Sequence, residues 1–115
     1  MTEADKIIRE RRSIYPDQFT EEEIERSVIE EILESAITAP THKKTEPWRF
    51  KVYRNDALFG LGEFLKNDFL GNAKNPSQFK ASKKFEKVLR SNAIIMIIMH
   101  RDPEERLPEW EEIAA

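Results

Sequence analysis

The sequence predicts a fold of helices and β-strands, because segments with helical spacing of apolar residues alternate with two short segments typical of strands. The chain has 115 residues, enough for one domain with a modest core. Aromatic residues make up 10% of it, and since such rings need burial the composition argues against intrinsic disorder. The absence of cysteine excludes disulfides, thiolate metal sites and cysteine nucleophiles. A net charge of −3 gives no electrostatic reason to expect nucleic acid as a partner.

Two helices are expected before residue 40. The first spans about Thr2–Arg12, is capped by its first residue, and stops before Pro16. The second is expected to begin at Thr20, with Glu23 completing a capping box, and to end near Ala39. Its apolar stripe recurs every three to four positions and consists of Ile24, Val28, Ile29, Ile32, Leu33, Ala36 and Ile37.

Two later segments have the patterns of strands. Trp48–Arg54 alternates apolar with polar residues, which indicates one buried face. The apolar run Ala93–Met99 is expected to be covered on both sides, as a central strand between helices would be. This run is far shorter than the roughly 20 residues that span a bilayer. Because Met1–Asp5 is polar and acidic and has no signal-peptide pattern, we predict a cytoplasmic protein without a membrane partner.

Three further helices are predicted. One begins at Asn55 or Asp56 and is followed by a loop over Asp68–Asn75, and another follows Ser77. The last begins at Glu109 and has only about two turns, and a helix this short is marginal by itself in water. Two strands also make a poor sheet. We therefore expect that the sequence is a fragment or that a partner chain completes the fold.

Two basic segments are candidates for binding an anion. Arg11 and Arg12 followed by Ser13 suit a phosphate, because guanidinium groups are bidentate donors and the hydroxyl adds a neutral one. The alternative is that these arginines only complement a helix dipole. The loop around His42 lies between a helix and a strand, where binding residues are common, but taken alone the loop favours the alternative of a solvated basic segment. No carboxylate pair, glycine-rich phosphate loop or metal-ligand spacing identifies a catalytic residue or a metal site.

Taken in order, these segments resemble the FMN-dependent nitroreductase family. The resemblance rests on Arg11–Tyr15, on a long helix ending in Ala36–Pro40, on His42–Phe50 with its Pro-Trp-x-Phe pattern, and on Leu107–Glu111. The closest likeness is to a small bacterial branch with an Ala-Pro-x-His-Lys loop. The resemblance covers essentially the whole chain, and implies that residues 1–115 are the N-terminal part of a single domain of this kind.

The resemblance implies an α+β fold with helices around a mixed sheet, and a homodimer with two FMN sites at the subunit interface. On the matching positions, Arg11, Arg12 and Ser13 would hold the phosphate and ribityl end of one FMN. Thr38 and His42 would reach the flavin that belongs to the other subunit. NAD(P)H would reduce the flavin, which would then reduce a nitroaromatic or quinone acceptor. These 115 residues alone are expected to bind FMN weakly or not at all, since the rest of the family fold is missing.

A second reading of the sequence belongs to a different functional class. In this reading the chain is a non-catalytic remnant that binds a flavin or nucleotide, or a small helical interaction module. Bound FMN that is released on denaturation would favour the oxidoreductase, whereas a colourless protein that does not bind added FMN would favour the alternative.

Overall fold

The computed structural model describes residues 1–115 and contains five α-helices and two β-strands, which confirms the predicted α+β class. The elements in chain order are α1 (Glu3–Glu10), α2 (Arg26–Ala36), β1 (Trp48–Tyr53), α3 (Asp56–Asn72), α4 (Gln78–Leu89), β2 (Ile94–Met99) and α5 (Glu109–Ala114). None of the helices has the length and apolar character needed to cross a membrane.

The two strands form an antiparallel ribbon, and α3 and α4 connect them. Trp48 lies opposite Met99 and Tyr53 lies opposite Ile94, so the pairing covers the full length of both strands. Residues 1–115 contain only this two-stranded antiparallel sheet, and not the predicted mixed sheet. The prediction that β2 is covered on both sides is wrong, since Ile97 is 74% exposed. The reason is that no helix of the chain packs closely against β2.

The start of α2 differs from the prediction. Thr20 does not cap this helix, which begins six residues later at Arg26. Side chains distant in sequence donate to backbone carbonyl oxygens that would accept hydrogen bonds within a longer helix. The amide of Asn92 donates to the carbonyl oxygen of Thr20 over 2.9 Å, and Arg54 donates to that of Ile24 over 2.7 Å. Tertiary hydrogen bonds therefore outweigh the local capping signal at this position.

The other helix boundaries follow local sequence signals more closely. α1 has the predicted cap at Thr2, whose hydroxyl accepts from the Asp5 amide over 3.1 Å, and the Asp5 carboxylate completes a capping box by accepting from the Thr2 amide over 3.0 Å. Ser77 caps α4 by accepting from the amide of Lys80. α3, however, continues to Asn72, so the loop predicted from Asp68 onwards is wrong at its start. The Asn72 side chain donates to the Asp68 carboxylate over 2.9 Å and supports the last turn.

The best packed part of the chain is the contact between α3 and α4. The rings of Phe59 and Phe85 meet edge to face, with centroids 5.4 Å apart. Gly62 is buried beneath the same ring, and a Cβ atom there would lie 2.9 Å from Phe85 Cδ2. This close approach explains a glycine in the middle of a helix, where it costs about 1 kcal/mol relative to alanine.

Two of the three glycines of α3, Gly60 and Gly62, give a matched pair of stability predictions. Gly60→Ala is expected to raise the free energy of unfolding by up to about 1 kcal/mol, because the added methyl meets open space and favours the helix. Gly62→Ala is expected to lower the free energy of unfolding by about 1–2 kcal/mol, because displacing the Phe85 ring costs more than the gain in helix propensity. Urea denaturation of both variants measures the difference, and equal effects would contradict the close packing.

The core of the chain is small and its apolar surface is large. The buried apolar residues are Ile29, Pro47, Leu58, Ala81, Val88 and Leu107. The radius of gyration is 17.8 Å, whereas a compact chain of this length has about 13 Å. The accessible surface is 9446 Å², against about 6,600 Å² for a compact monomer of this mass. Much apolar surface is therefore left for further protein to cover.

Candidate functional site

The paired arginines lie just beyond the end of α1 with all their side-chain donors free. The helix ends at Glu10, and the backbone of Arg11 is extended (φ −61°, ψ 145°). Arg11, Arg12 and Ser13 are all exposed, and their side chains make no hydrogen bond or ion pair within the chain. Arg9 is the basic residue of the last turn, and Arg11 is the C-cap residue, next to the negative end of the helix dipole.

This donor set fits the phosphate of FMN. A phosphate close to dianionic accepts several charge-assisted hydrogen bonds, and two guanidinium groups with a neighbouring hydroxyl offer them. None of these donors has to give up a partner in the chain to make such bonds. The chemistry of the segment therefore agrees with a phosphate ligand.

Thr38 lies two residues past the end of α2. Its hydroxyl donates to the carbonyl oxygen of Ser35 over 2.7 Å, which fixes the direction of the O–H bond. The hydroxyl oxygen keeps lone pairs with which to accept a hydrogen bond, and the residue is exposed. Thr38 can thus serve a ligand as an acceptor at a defined position.

His42 begins a short 3₁₀ turn, His42–Lys44, whose backbone is held in a strained conformation. Lys43, Lys44 and Glu46 have φ values of 56°, 51° and 44°, in the left-handed region that non-glycine residues seldom adopt. Such residues cost on the order of 1–3 kcal/mol each and persist only where surrounding structure enforces them. Pro47, which ends the loop, is fully buried and accepts at its carbonyl from the amide of His100. The loop is therefore anchored at its end by Pro47, while the side chains of residues 42–44 are exposed.

The imidazole of His42 contacts the C-terminal helix. Its Nδ1 lies 3.2 Å from Oε2 of Glu111 in α5, while 63% of its side chain remains exposed. Glu111 was not among the candidates from sequence, because the pair is separated by 69 residues and no local spacing connects them.

A buried carboxylate cluster fixes the loop between β2 and α5. The Glu112 side chain has no exposed surface, and both its oxygens accept from the backbone amide of Asp102, over 3.2 and 3.0 Å. Oε1 of Glu112 is also 3.3 Å from Nε of Arg101. Asp102 in turn accepts from the Arg106 amide over 3.1 Å and from its Nε over 2.9 Å. Sequence reasoning missed this cluster, because charged residues before a helix most often face solvent.

The cluster predicts a pH-dependent contribution to stability. Hydrogen bonds from the Arg106 side chain and backbone lower the pKa of Asp102 below its ordinary value. A carboxylate with a depressed pKa in the folded state stabilises the fold above its unfolded pKa of about 3.9, and this contribution is lost as the pH falls through the folded pKa. Asp102→Asn is therefore expected to reduce stability at pH 7 and to flatten its decline in acid. Thermal unfolding from pH 7 to pH 2 measures this, and an unchanged acid profile would contradict it.

The single chain does not gather the five predicted ligands into one pocket. Five clefts of the chain, with volumes of about 330–640 Å³, include none of the residues Arg11, Arg12, Ser13, Thr38 and His42. The predicted arrangement divides these residues between two sites shared by two subunits, and one chain cannot assemble either site. Their roles in binding therefore stay predictions.

Comparison with known proteins gives a consistent family. The model of the Nitroreductase family matches residues 8–115. Over 44 residues the chain is 52% identical to a protein of Bacillus subtilis (strain 168) named "Putative NAD(P)H nitroreductase YfhC", a match that covers 38% of this chain and 22% of that protein. The crystal structure of a nitroreductase-like family protein from Bacillus cereus matches the whole chain with a TM-score of 0.78 and 28% identity, and the match covers 58% of that protein.

Proposed function

Because the chain belongs to the nitroreductase family, we propose that it forms the N-terminal part of a single FMN-dependent oxidoreductase domain. When bound, FMN would supply the redox chemistry, accepting hydride from NAD(P)H and passing electrons to a nitroaromatic or quinone-like acceptor. The observation that carries the proposal is the group of three unpaired donors at Arg11–Ser13 in a chain with this fold. The name of the Bacillus subtilis relative, an NAD(P)H nitroreductase, supports the choice of donor.

Different residues of the chain would bind the two ends of the cofactor. Arg11 and Arg12 would neutralise the phosphate, and Ser13 would bind the phosphate or ribityl end. Thr38 and His42 would contact the flavin held mainly by the other subunit. No residue of this chain is assigned as an acid or base, since the flavin carries the electron transfer.

The exposed apolar surface supports a homodimer. The accessible surface exceeds that of a compact monomer by about 40%. Large exposed side chains occur in every helix and in β2, for example Ile8, Ile32, Phe64, Phe79 and Ile97. Monomeric proteins seldom leave such patches open, and obligate dimers cover them with apolar interfaces. We propose that the rest of the domain covers part of this surface and a second copy covers another part, and that together they complete both FMN sites.

Anaerobic spectroscopy of the intact protein, meaning this chain together with the rest of its domain, tests this function. The flavin absorbance of the FMN-loaded protein is expected to bleach on addition of NADH or NADPH and to return on addition of a quinone or nitroaromatic. A protein that binds FMN but is reduced by neither nicotinamide would contradict the proposed electron donor. A protein that is reduced but not reoxidised by either acceptor class would contradict the proposed acceptors.

A further inference from the structure

We propose that Glu111 is a positioning residue for His42: its carboxylate holds the Nδ1–H tautomer of the imidazole, so that Nε2 is the nitrogen presented to the flavin. The inference rests on the proposed function for the identity of the ligand. The hydrogen bond and the tautomer are properties of this chain and can be measured without flavin.

For a neutral imidazole, the contact indicates which nitrogen carries the proton. An ionised carboxylate has acceptor sites only, so the atom that faces Glu111 Oε2 at 3.2 Å must be a donor. In a neutral imidazole one nitrogen donates and the other accepts. A hydrogen bond from Nδ1 to Glu111 therefore leaves Nε2 of His42 with a free lone pair. Nε2 makes no hydrogen bond in the chain and remains available to an N–H or O–H group of a ligand.

Glu111 is well placed to orient His42, because the adjacent residue Glu112 fixes helix α5. Adjacent residues on a helix point in directions about 100° apart. Glu112 is completely buried and accepts from the amide of Asp102, whereas Glu111 is only 28% exposed and points to His42. The two neighbouring carboxylates thus have separate roles, one in anchoring the helix and the other in orienting the imidazole.

The other end of the contact is also fixed. His42 opens the turn in which Lys43 and Lys44 are both held in the left-handed region. Its carbonyl accepts from the amide of Thr45 over 3.4 Å, and the loop ends at the buried Pro47. Because both partners of the hydrogen bond lie on constrained backbone, the ring orientation can be retained before a ligand arrives. Orientation of a histidine by a hydrogen bond at its second nitrogen is a common device in protein sites.

Long-range ¹⁵N–¹H NMR of histidine-labelled intact protein tests the proposal. The variant His42→Gln assigns the His42 signals, because these are the signals that disappear from its spectrum. At about pH 8, above the ordinary titration range of histidine, His42 of the flavin-free protein is expected to show the Nδ1–H tautomer. Glu111→Ala is expected to lose that preference, and Glu111→Gln to keep it, because an amide oxygen can also accept from Nδ1–H. Glu109→Ala is the control, since Glu109 lies on the same helix and contacts Arg101 instead.

FMN titration of the same variants gives the second readout. Glu111→Ala is expected to weaken FMN binding about fivefold, the effect of one hydrogen bond, while Glu111→Gln and Glu109→Ala stay near wild type. An Nε2–H tautomer in the wild-type protein would overturn the inference even if a variant failed to fold. An unchanged tautomer in Glu111→Ala would overturn the inference as well. So would loss of the Nδ1–H preference in Glu111→Gln. Failure of the wild-type protein to bind FMN would overturn the proposed function instead, whatever the tautomer.

Discussion

Arg11→Ala in the intact protein is expected to weaken FMN binding by about 1.5–3 kcal/mol, the range for a hydrogen bond to a charged group. This corresponds to roughly a 12- to 150-fold rise in Kd. The expectation follows from a guanidinium that is exposed, lies past the end of α1 and has no partner in the chain. Quenching of FMN fluorescence on titration with protein measures the change.

Two companion variants make the Arg11 experiment specific. Arg9→Ala removes an exposed arginine from the last turn of the same helix and is expected to leave FMN affinity within about twofold of wild type. Arg11→Lys keeps the charge but loses the bidentate fork, so an intermediate loss is expected. Unchanged affinity in Arg11→Ala would remove this residue from the site, and an equal loss in Arg9→Ala would indicate a nonspecific charge effect.

Glu112→Ala is expected to have the largest effect on stability, lowering the free energy of unfolding by about 3–5 kcal/mol. The substitution leaves the buried amide of Asp102 without its acceptor and removes the carboxylate beside Nε of Arg101. Urea denaturation measures the total loss. Amide hydrogen exchange should show that the loss of protection begins in the loop between β2 and α5.

Glu109→Ala serves as the control for Glu112. This residue is 63% exposed and lies 3.7 Å from Arg101, so its removal is expected to change stability by less than about 0.5 kcal/mol. Similar losses in the two variants would mean that charge on α5 matters more than the buried hydrogen bonds. A wild-type stability in Glu112→Ala would contradict the role of the cluster.

The sequence predicts those parts of the fold in which local signals decide the structure. The capping box at Thr2 and the cap at Ser77 are local, and both helices begin where these residues indicate. Thr20 carries an equally good local signal, yet α2 begins at Arg26 because Asn92 takes the carbonyl of Thr20. The exposure of β2 could not be predicted either, since the composition of a strand does not show which layers cover it.

In the candidate site, too, the properties of single side chains could be predicted and the long-range contacts could not. Arg11–Ser13 could be proposed from residue types alone, because charge and hydrogen-bonding capacity are properties of the side chains. The partnership of His42 with Glu111 depends on how α5 packs, and that in turn depends on a buried carboxylate that composition would place on the surface. Left-handed lysines in the same loop have no sequence signal comparable to glycine.

The flavin content of the purified intact protein is the decisive measurement for FMN binding at Arg11 and Arg12. We expect a protein that releases FMN on denaturation, takes it up again on refolding, and loses this ability when Arg11 and Arg12 are both replaced by alanine. A correctly folded wild-type protein that is colourless and does not quench the fluorescence of added FMN would contradict the account and favour a non-catalytic role.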